Sequence, residues 1–290
     1  TLDLITADPP VISFTPTGSG SYTFIFEATD ACGASKRDTA VIAVTINSAP
    51  TANAGADQNL FQCAPTLVSW PASCADVNGN LSSCALVAGP GTYNGTSISF
   101  TPTASGSYTF ILEAADACGV TKRDTAVINV TINTPPTANA GADQNLFQCT
   151  PALISWAASC ADINGNLSSC ALVSGTGSYN GTNISFTPTG SGSYSFILEA
   201  TDACGAKKRD TAIITVTINS APIANAGADQ TLFQCSPTLV SWAASCSDIN
   251  GNLSSCALIS GTGSYDGTNI SFTPTASGSY SFIIEATDAC

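Results

Sequence analysis

Ser107–Ala114 reads SYTFILEA, and this stretch decides the fold. Tyr108, Phe110, Leu112 and Ala114 fall on one face of an extended chain and Thr109, Ile111 and Glu113 on the other, the period of two that a β-strand shows. Further on, Thr125–Ile132 (TAVINVTI) alternates in the same way, with Ala126, Ile128, Val130 and Ile132 sharing a face. Ala117–Asp124 (ACGVTKRD) between them reads as a turn, so the pair predicts a closing β-hairpin. Upstream, Ser97–Pro102 (SISFTP) places Ile98 and Phe100 inward, Cys74–Asn80 (CADVNGN) centres a turn on Asn-Gly, and Thr66–Ala72 (TLVSWPA) is an apolar strand carrying Trp70. No stretch sustains a helical period. The expectation is an all-β, immunoglobulin-like sandwich of about seven short strands with the Trp as core anchor.

This text recurs. Cys32, Cys118, Cys204 and Cys290 are spaced by 86 residues, as are Cys63, Cys149 and Cys235, and Trp70, Trp156 and Trp242. GNLSSCAL begins at Gly79, Gly165 and Gly251. A unit of this length is too long for a solenoid repeat and suits a small domain that folds by itself. The Pro-containing linkers that begin at Ser48, Thr134 and Ser220 set the boundaries: 1–48, the C-terminal part of a repeat; 49–134 and 135–220, complete repeats; and 221–290, a repeat without its last strand. Linkers this short predict stiff coupling between neighbours.

Composition narrows the function. The chain has 290 residues, no His, 7 Lys plus Arg and a net charge of -13. An acidic chain without a basic patch is a poor partner for nucleic acid. Without His there is no imidazole to activate a serine, and no GxSxG elbow is present, so the chain is read as non-enzymatic. No apolar run is long enough to span a bilayer, so no membrane insertion is expected in this segment. Thirteen cysteines with no CxxC pair point to disulfides in an oxidising, extracellular setting rather than to zinc.

PTANAGADQ at Pro50–Gln58 resembles the opening strand of the polycystic-kidney-disease-type (PKD-like) immunoglobulin fold found in tandem on bacterial surface proteins. FTPTASGSYTFILEAADACG at Phe100–Gly119 is similar to the penultimate strand and closing turn of those repeats and of hyalin-type repeats. The resemblance covers nearly the whole chain and implies an extracellular array. Such modules serve as spacers, adhesins and fibre subunits alike. One segment departs from the pattern: Ala85–Gly91 is small and glycine-rich where PKD-like domains carry an aromatic-rich strand.

The disulfide candidates are Cys63, Cys74, Cys84 and Cys118 in the first complete repeat, Cys149, Cys160, Cys170 and Cys204 in the second, and Cys235, Cys246, Cys256 and Cys290 in the third. Cys74 and Cys84 flank one loop, which a bridge between them staples. The resemblance implies that Cys63 pairs with Cys118, since relatives often carry only those two. A bridge from Cys63 to elsewhere, including a neighbouring domain, stays open, because the first turn and last hairpin of an ideal sandwich lie at opposite ends. Loop closure gives about 3 kcal/mol for the short bridge and about 4 for the long one.

Other candidates are weighed against plainer readings. Asp76, Asn78 and Asn80, repeated at Asp162, Asn164 and Asn166 and at Asp248, Asn250 and Asn252, space oxygens around a glycine as calcium loops do. They hold one charge and lack the terminal bidentate carboxylate, so an Asx-rich turn is the preferred reading and no cofactor is expected beyond that calcium option. Lys36, Arg37, Lys122, Arg123, Lys207, Lys208 and Arg209 are all the basic residues and cluster at one end of their domains, where they are candidates for contact with the next domain or subunit. A solvated hairpin turn is the plainer account. Glu113, inside its apolar strand, reads as an outward partner of the basic turn rather than as the acid of an isopeptide bond. Sequons begin at Asn80, Asn94, Asn129, Asn166, Asn180, Asn183, Asn252 and Asn269, so covalent glycans are candidate partners.

Cys290 stands in register with Cys32, three repeats away, so residue 33 of another copy continues the pattern. The phase suggests either an excerpt of a longer tract or a subunit completed by a strand from its neighbour. The expected function is a self-associating structural subunit of an extracellular fibre, filament or cell-surface stalk. The alternatives are an adhesin whose repeats project a tip, and an accessory repeat region of a secreted hydrolase.

Overall fold

A computed structural model describes residues 11–290 and the backbone of Asp3–Ile5. The start of the first partial repeat, residues 1, 2 and 6–10, lies outside the described residues. The chain divides into two compact units, Thr1–Asn133 and Thr134–Cys290. Among the described residues there is strand and turn but no helix.

In the first unit, β1 (Asp3–Ile5) pairs with β2 (Val11–Ser13), and β3 (Gly20–Thr29) with β4 (Ser35–Val44). The full sandwich follows: β5 (Thr51–Asn53), β6 (Gln58–Gln62), β7 (Val68–Pro71), β8 (Ser73–Ala75), β9 (Leu81–Ala88), β10 (Thr92–Tyr93), β11 (Ser97–Phe100), β12 (Gly106–Asp116) and β13 (Thr121–Ile132). One layer runs β6-β13-β12-β9, antiparallel except for the parallel β6–β13 pair. The other holds β10-β11-β7 and the β5–β8 pair. Phe110 and Leu112 of β12 and Ala126, Ile128 and Val130 of β13 meet Trp70, Ile98 and Phe100 in one core. The Trp70 ring packs edge-on to Phe110 at 4.9 Å, and its Nε1–H donates to the Ala54 carbonyl at 2.7 Å. Residue 55 must be glycine for this: its φ is +92°, and a Cβ there would stand 2.6 Å from Trp70 Cδ1. The glycine-rich departure has the same kind of cause. A Cβ on Gly89 would lie 2.6 Å from Phe110 Cδ1, so small residues let the end of β9 close over that ring.

Two expectations need correction here. The turn after β12 is shorter than ACGVTKRD, because β13 already begins at Thr121. Lys122, Arg123 and Asp124 are therefore strand residues, in register with Ala114, Glu113 and Leu112. The Arg123–Glu113 charge pair and the Asp124 carboxylate, which accepts from the Ala54 N–H at 2.8 Å, favour the longer strand.

The second correction is the long bridge. Cys118 and Cys235 are free, exposed thiols, as is Cys32, so Cys63–Cys118 and Cys235–Cys290 do not form. Cys149 bonds Cys290 of the following repeat instead of Cys204, with Cα atoms 5.3 Å apart. Cys63 and Cys204 each take part in a disulfide as well. The strand register supplies the reason. In the second unit β14 (Thr137–Asn139), β15 (Gln144–Gln148), β16 (Ile154–Ala157), β17 (Ser159–Ala161), β18 (Leu167–Ser174), β19 (Ser178–Tyr179), β20 (Asn183–Phe186), β21 (Gly192–Asp202) and β22 (Lys207–Ile218) repeat the sandwich. Gln148 lies opposite Ile218, so Cys149 sits at the end of β22, whereas Cys204 precedes its start. A twelve-residue strand separates the two by roughly 40 Å, far beyond disulfide reach.

The short bridges Cys74–Cys84, Cys160–Cys170 and Cys246–Cys256 are present. Each joins the two layers; Cys74 lies on β8 and Cys84 on β9.

The third sandwich comprises β23 (Ile223–Asn225), β24 (Val240–Ala243), β25 (Ser245–Ser247), β26 (Leu253–Ser260), β27 (Ser264–Tyr265), β28 (Asn269–Phe272) and β29 (Ile283–Asp288). Among the described residues, 230–234, the counterparts of β6 and β15, form no strand. Phe233 is 93% exposed, against 49% for its equivalent Phe147, and a cleft of about 860 Å³ opens toward Trp242, Phe272 and Phe282.

Candidate functional site

The repeat junction gathers the chemistry-bearing residues. At Ile46-Asn47-Ser48 the chain leaves one repeat for the next. Asn47 Nδ2 donates to Asp116 Oδ2 at 2.7 Å, Asn80 Nδ2 donates to Asn47 Oδ1 at 2.8 Å, and the Ser48 N–H donates to Asn78 Oδ1 at 2.7 Å. The second unit repeats this clamp. Asn219 Nδ2 donates to Asp288 Oδ2 at 2.6 Å, Asn252 Nδ2 to Asn219 Oδ1 at 3.0 Å, and the Ser220 N–H to Asn250 Oδ1 at 2.7 Å. Thr134 N–H likewise donates to Asn164 Oδ1 at 2.7 Å.

The loops considered for calcium thus hold the linker. Each folds as an Asx turn, with Asp76 Oδ1 accepting from the Asn78 N–H at 2.8 Å and equivalent bonds at Asp162–Asn164 and Asp248–Asn250. Asp76 Oδ2, Asn80 Oδ1, Asp248 Oδ2 and Asn252 Oδ1 are buried and accept no hydrogen bond from protein. Buried acceptors of this kind are commonly served by ordered water. One carboxylate per loop, with no terminal bidentate carboxylate, is a weak donor set for calcium. Millimolar calcium added to chelator-treated protein is therefore expected to leave the melting temperature unchanged by differential scanning calorimetry. A rise that saturates with calcium would show that these oxygens bind it.

Asp116 links the hairpin turn to the linker. Its Oδ1 accepts from the Cys118 and Val120 N–H groups, each at 2.9 Å, and the residue is 3% exposed. Hydrogen bonding from Asn47 first, and then from the turn amides, works against burial and holds the carboxyl below its ordinary 3.8. The unfolded chain lacks these donors. The contribution to stability is therefore fully present above 3.8 and is lost as pH falls through the depressed folded value. Asn47→Ala is expected to flatten the acid limb of the melting temperature below about pH 4. An identical acid limb in variant and parent would exclude this carboxylate as its source.

Four of the seven basic residues pair with a glutamate of their own hairpin. Arg37 pairs with Glu27 at 2.9 Å, Arg123 with Glu113 at 2.5 Å, and Lys207 and Arg209 both with Glu199, at 2.8 and 2.6 Å. Lys207 first, then Arg209, holds the Glu199 carboxyl below its ordinary range. These four are thus taken by cross-strand partners rather than by a neighbouring domain. Lys36, Lys122 and Lys208 are exposed. Of the sequons, Asn80 and Asn252 use Nδ2 in the junction, and Asn166 Nδ2 faces Cys204 Sγ at 3.9 Å. Asn129 Nδ2 donates to Asn59 Oδ1, and Asn183 and Asn269 donate to adjacent threonine hydroxyls. Asn94 and Asn180 are exposed, with Oδ1 closing a turn.

No family model matches the chain, and no curated protein matches it. Solved structures do. A protocadherin gammaB7 EC3-6 cis-dimer structure matches with a TM-score of 0.56 at 15% identity, covering 96% of this chain and 82% of that one. The protocadherin GammaB4 extracellular domain matches at 0.55 and 15%, covering 92% of this chain. Protocadherin Gamma B2 extracellular cadherin domains 1-5 match at 0.55 and 12%, covering 94%. The fold is a tandem array of immunoglobulin-like sandwiches. The chain spans only 53% of the GammaB4 structure and 66% of the Gamma B2 one. Among the described residues no helix is long and apolar enough to cross a membrane.

Proposed function

We propose that the chain is a non-catalytic structural segment of an extracellular filament or cell-surface stalk, and that stiffness between repeats is what it supplies. The observation that carries this reading is the covalent junction. Cys149–Cys290 ties one repeat to the next, across a linker whose Asn219 is clamped by Asp288 and Asn252. Flexible tethers need neither, and a hinge would be impeded by both. Disulfides of this density suit an oxidising compartment, and exposed Asn94 and Asn180 are the sequons best placed to carry glycans.

The adhesive alternative has one observation in its favour: the similar ectodomain structures include one described as a cis-dimer, and lateral pairing of that kind would suit a stalk with a binding tip. Negative-stain microscopy of the native material separates the readings. Regular filaments are expected; isolated stalks would favour adhesion, and a catalytic segment elsewhere in the full gene would make this an accessory region of an enzyme.

A further inference from the structure

Cys149 and Cys290 are 141 residues apart, the distance from an opening-strand cysteine to the closing-turn cysteine of the next repeat. Within the chain, a cysteine stands 141 residues ahead of Cys63 and of Cys149 but not of Cys235. One stands 141 residues behind Cys204 and Cys290 but not behind Cys32 or Cys118. The free thiols are those same three, Cys32, Cys118 and Cys235, and all are exposed. Of their equivalents, Cys204 and Cys290 on the closing-turn side and Cys63 and Cys149 on the opening-strand side are bonded.

We propose that Cys235 forms a disulfide with Cys118 of a further copy of this sequence, so that the covalent ladder begun by Cys149–Cys290 continues into that copy. This rests on the structural-array reading above. Three repeats of 86 residues bring Cys290 onto Cys32, and the same shift places Cys118 of the next copy 141 residues beyond Cys235. The geometry of the existing bridge shows how the thiols meet. Cys149 follows Gln148, whose carbonyl accepts from the Asn219 N–H at 2.8 Å, and Asn219 grips Asp288, two residues before Cys290. Asn47 grips Asp116, two residues before Cys118, in the same way. Among the described residues no strand pairs with 230–234 beside Cys235. A strand equivalent to β22, docked there, would end on such an asparagine and deliver the closing turn to Cys235.

The chemistry balances through a disulfide oxidant, either a small-molecule disulfide or a thiol oxidoreductase. The Cys235 thiolate attacks one of its sulfurs and expels a thiolate, and the Cys118 thiolate then attacks the mixed disulfide and expels the second. Two protein thiols lose two protons and two electrons, and the oxidant disulfide becomes two thiols.

The test is disulfide mapping of native material, alkylated before digestion and without reduction. A bridged peptide joining the Cys235 segment (LFQCSPTL) to the Cys118 segment (ADACGVTK) is expected, with complete loss of alkylation at both. Alkylated Cys235, or Cys235 bridged to another opening-strand cysteine, would overturn the proposal. Mass after reduction identifies the source of the copy: 29.2 kDa for separate chains, a larger species for one continued chain. Microscopy of the same sample keeps the two ideas apart. Filaments with free Cys235 would sink the ladder alone, and bridged Cys235 without filaments would sink the structural reading alone.

Discussion

Trp156→Ala is expected to destabilise its repeat by about 3–5 kcal/mol, the usual cost of deleting a buried aromatic from a core that cannot collapse around the void. The indole is 8% exposed and packs edge-on to Phe196 at 5.0 Å and Phe186 at 6.0 Å. Its Nε1–H donates to the Ala140 carbonyl at 2.7 Å, so truncation also strands a buried acceptor. Relaxation is restricted because Gly141, at φ +92° with its Cα against the ring edge, belongs to the turn between β14 and β15 and cannot move without disturbing both. A domain of this size has a stability of only about 5–15 kcal/mol, so the loss is a large part of the total. In differential scanning calorimetry one transition should move to lower temperature while that of the first complete repeat, which keeps Trp70, holds its place. If all transitions stay where they are, the indole is not the core anchor. If all move together, the repeats do not unfold separately.

The core was legible because it obeys a local rule. Phe110, Leu112, Ala126 and Ile128 are fully buried, on the faces their alternation assigns. The bridge from Cys149 was not legible from that rule. Period two tells which side of a sheet a residue faces but not which end of the sandwich it reaches, and that end depends on the parallel β15–β22 pairing, a contact made far along the chain. Spacing alone, 86 residues between equivalents, was compatible with a bridge inside a repeat and with one between repeats. The resemblance favoured the former; the register selects the latter. Lys122–Asp124 were misplaced for a related reason. A basic run after Gly reads as a turn, yet Arg123 has a strand partner in Glu113, and only the hairpin register discloses it. The junction clamp carried a signal that was visible but unread: Asn47 and Asn219 recur in step with Asn80 and Asn252, and polar residues that repeat together at a linker and at a loop are candidates to bond each other.

The second large effect concerns the bridge between the layers. Replacing both Cys160 and Cys170 by Ala is expected to cost about 3 kcal/mol, since a bridge closing a short loop removes chain entropy of that order from the unfolded state. The structure adds to this estimate in one direction. Cys160 on β17 and Cys170 on β18 belong to different layers, and both pack against the core that holds Trp156. β17 is a three-residue strand paired only with the equally short β14, and beside the bridge the Ala140 N–H, donating to Asp210 Oδ2 at 2.8 Å, ties that edge to β22. Loss of the bridge should therefore loosen β14 and β17 before the rest. Hydrogen exchange under native conditions is expected to accelerate at Thr137–Asn139 and Ser159–Ala161 while the amides of β21 and β22 keep their protection. Uniform acceleration across the repeat would mean that the bridge acts only through the unfolded chain. Unchanged exchange together with an unchanged melting temperature would mean that the β14–β17 edge is held by its own packing, and that the bridge adds nothing to a sandwich already closed by its hairpin.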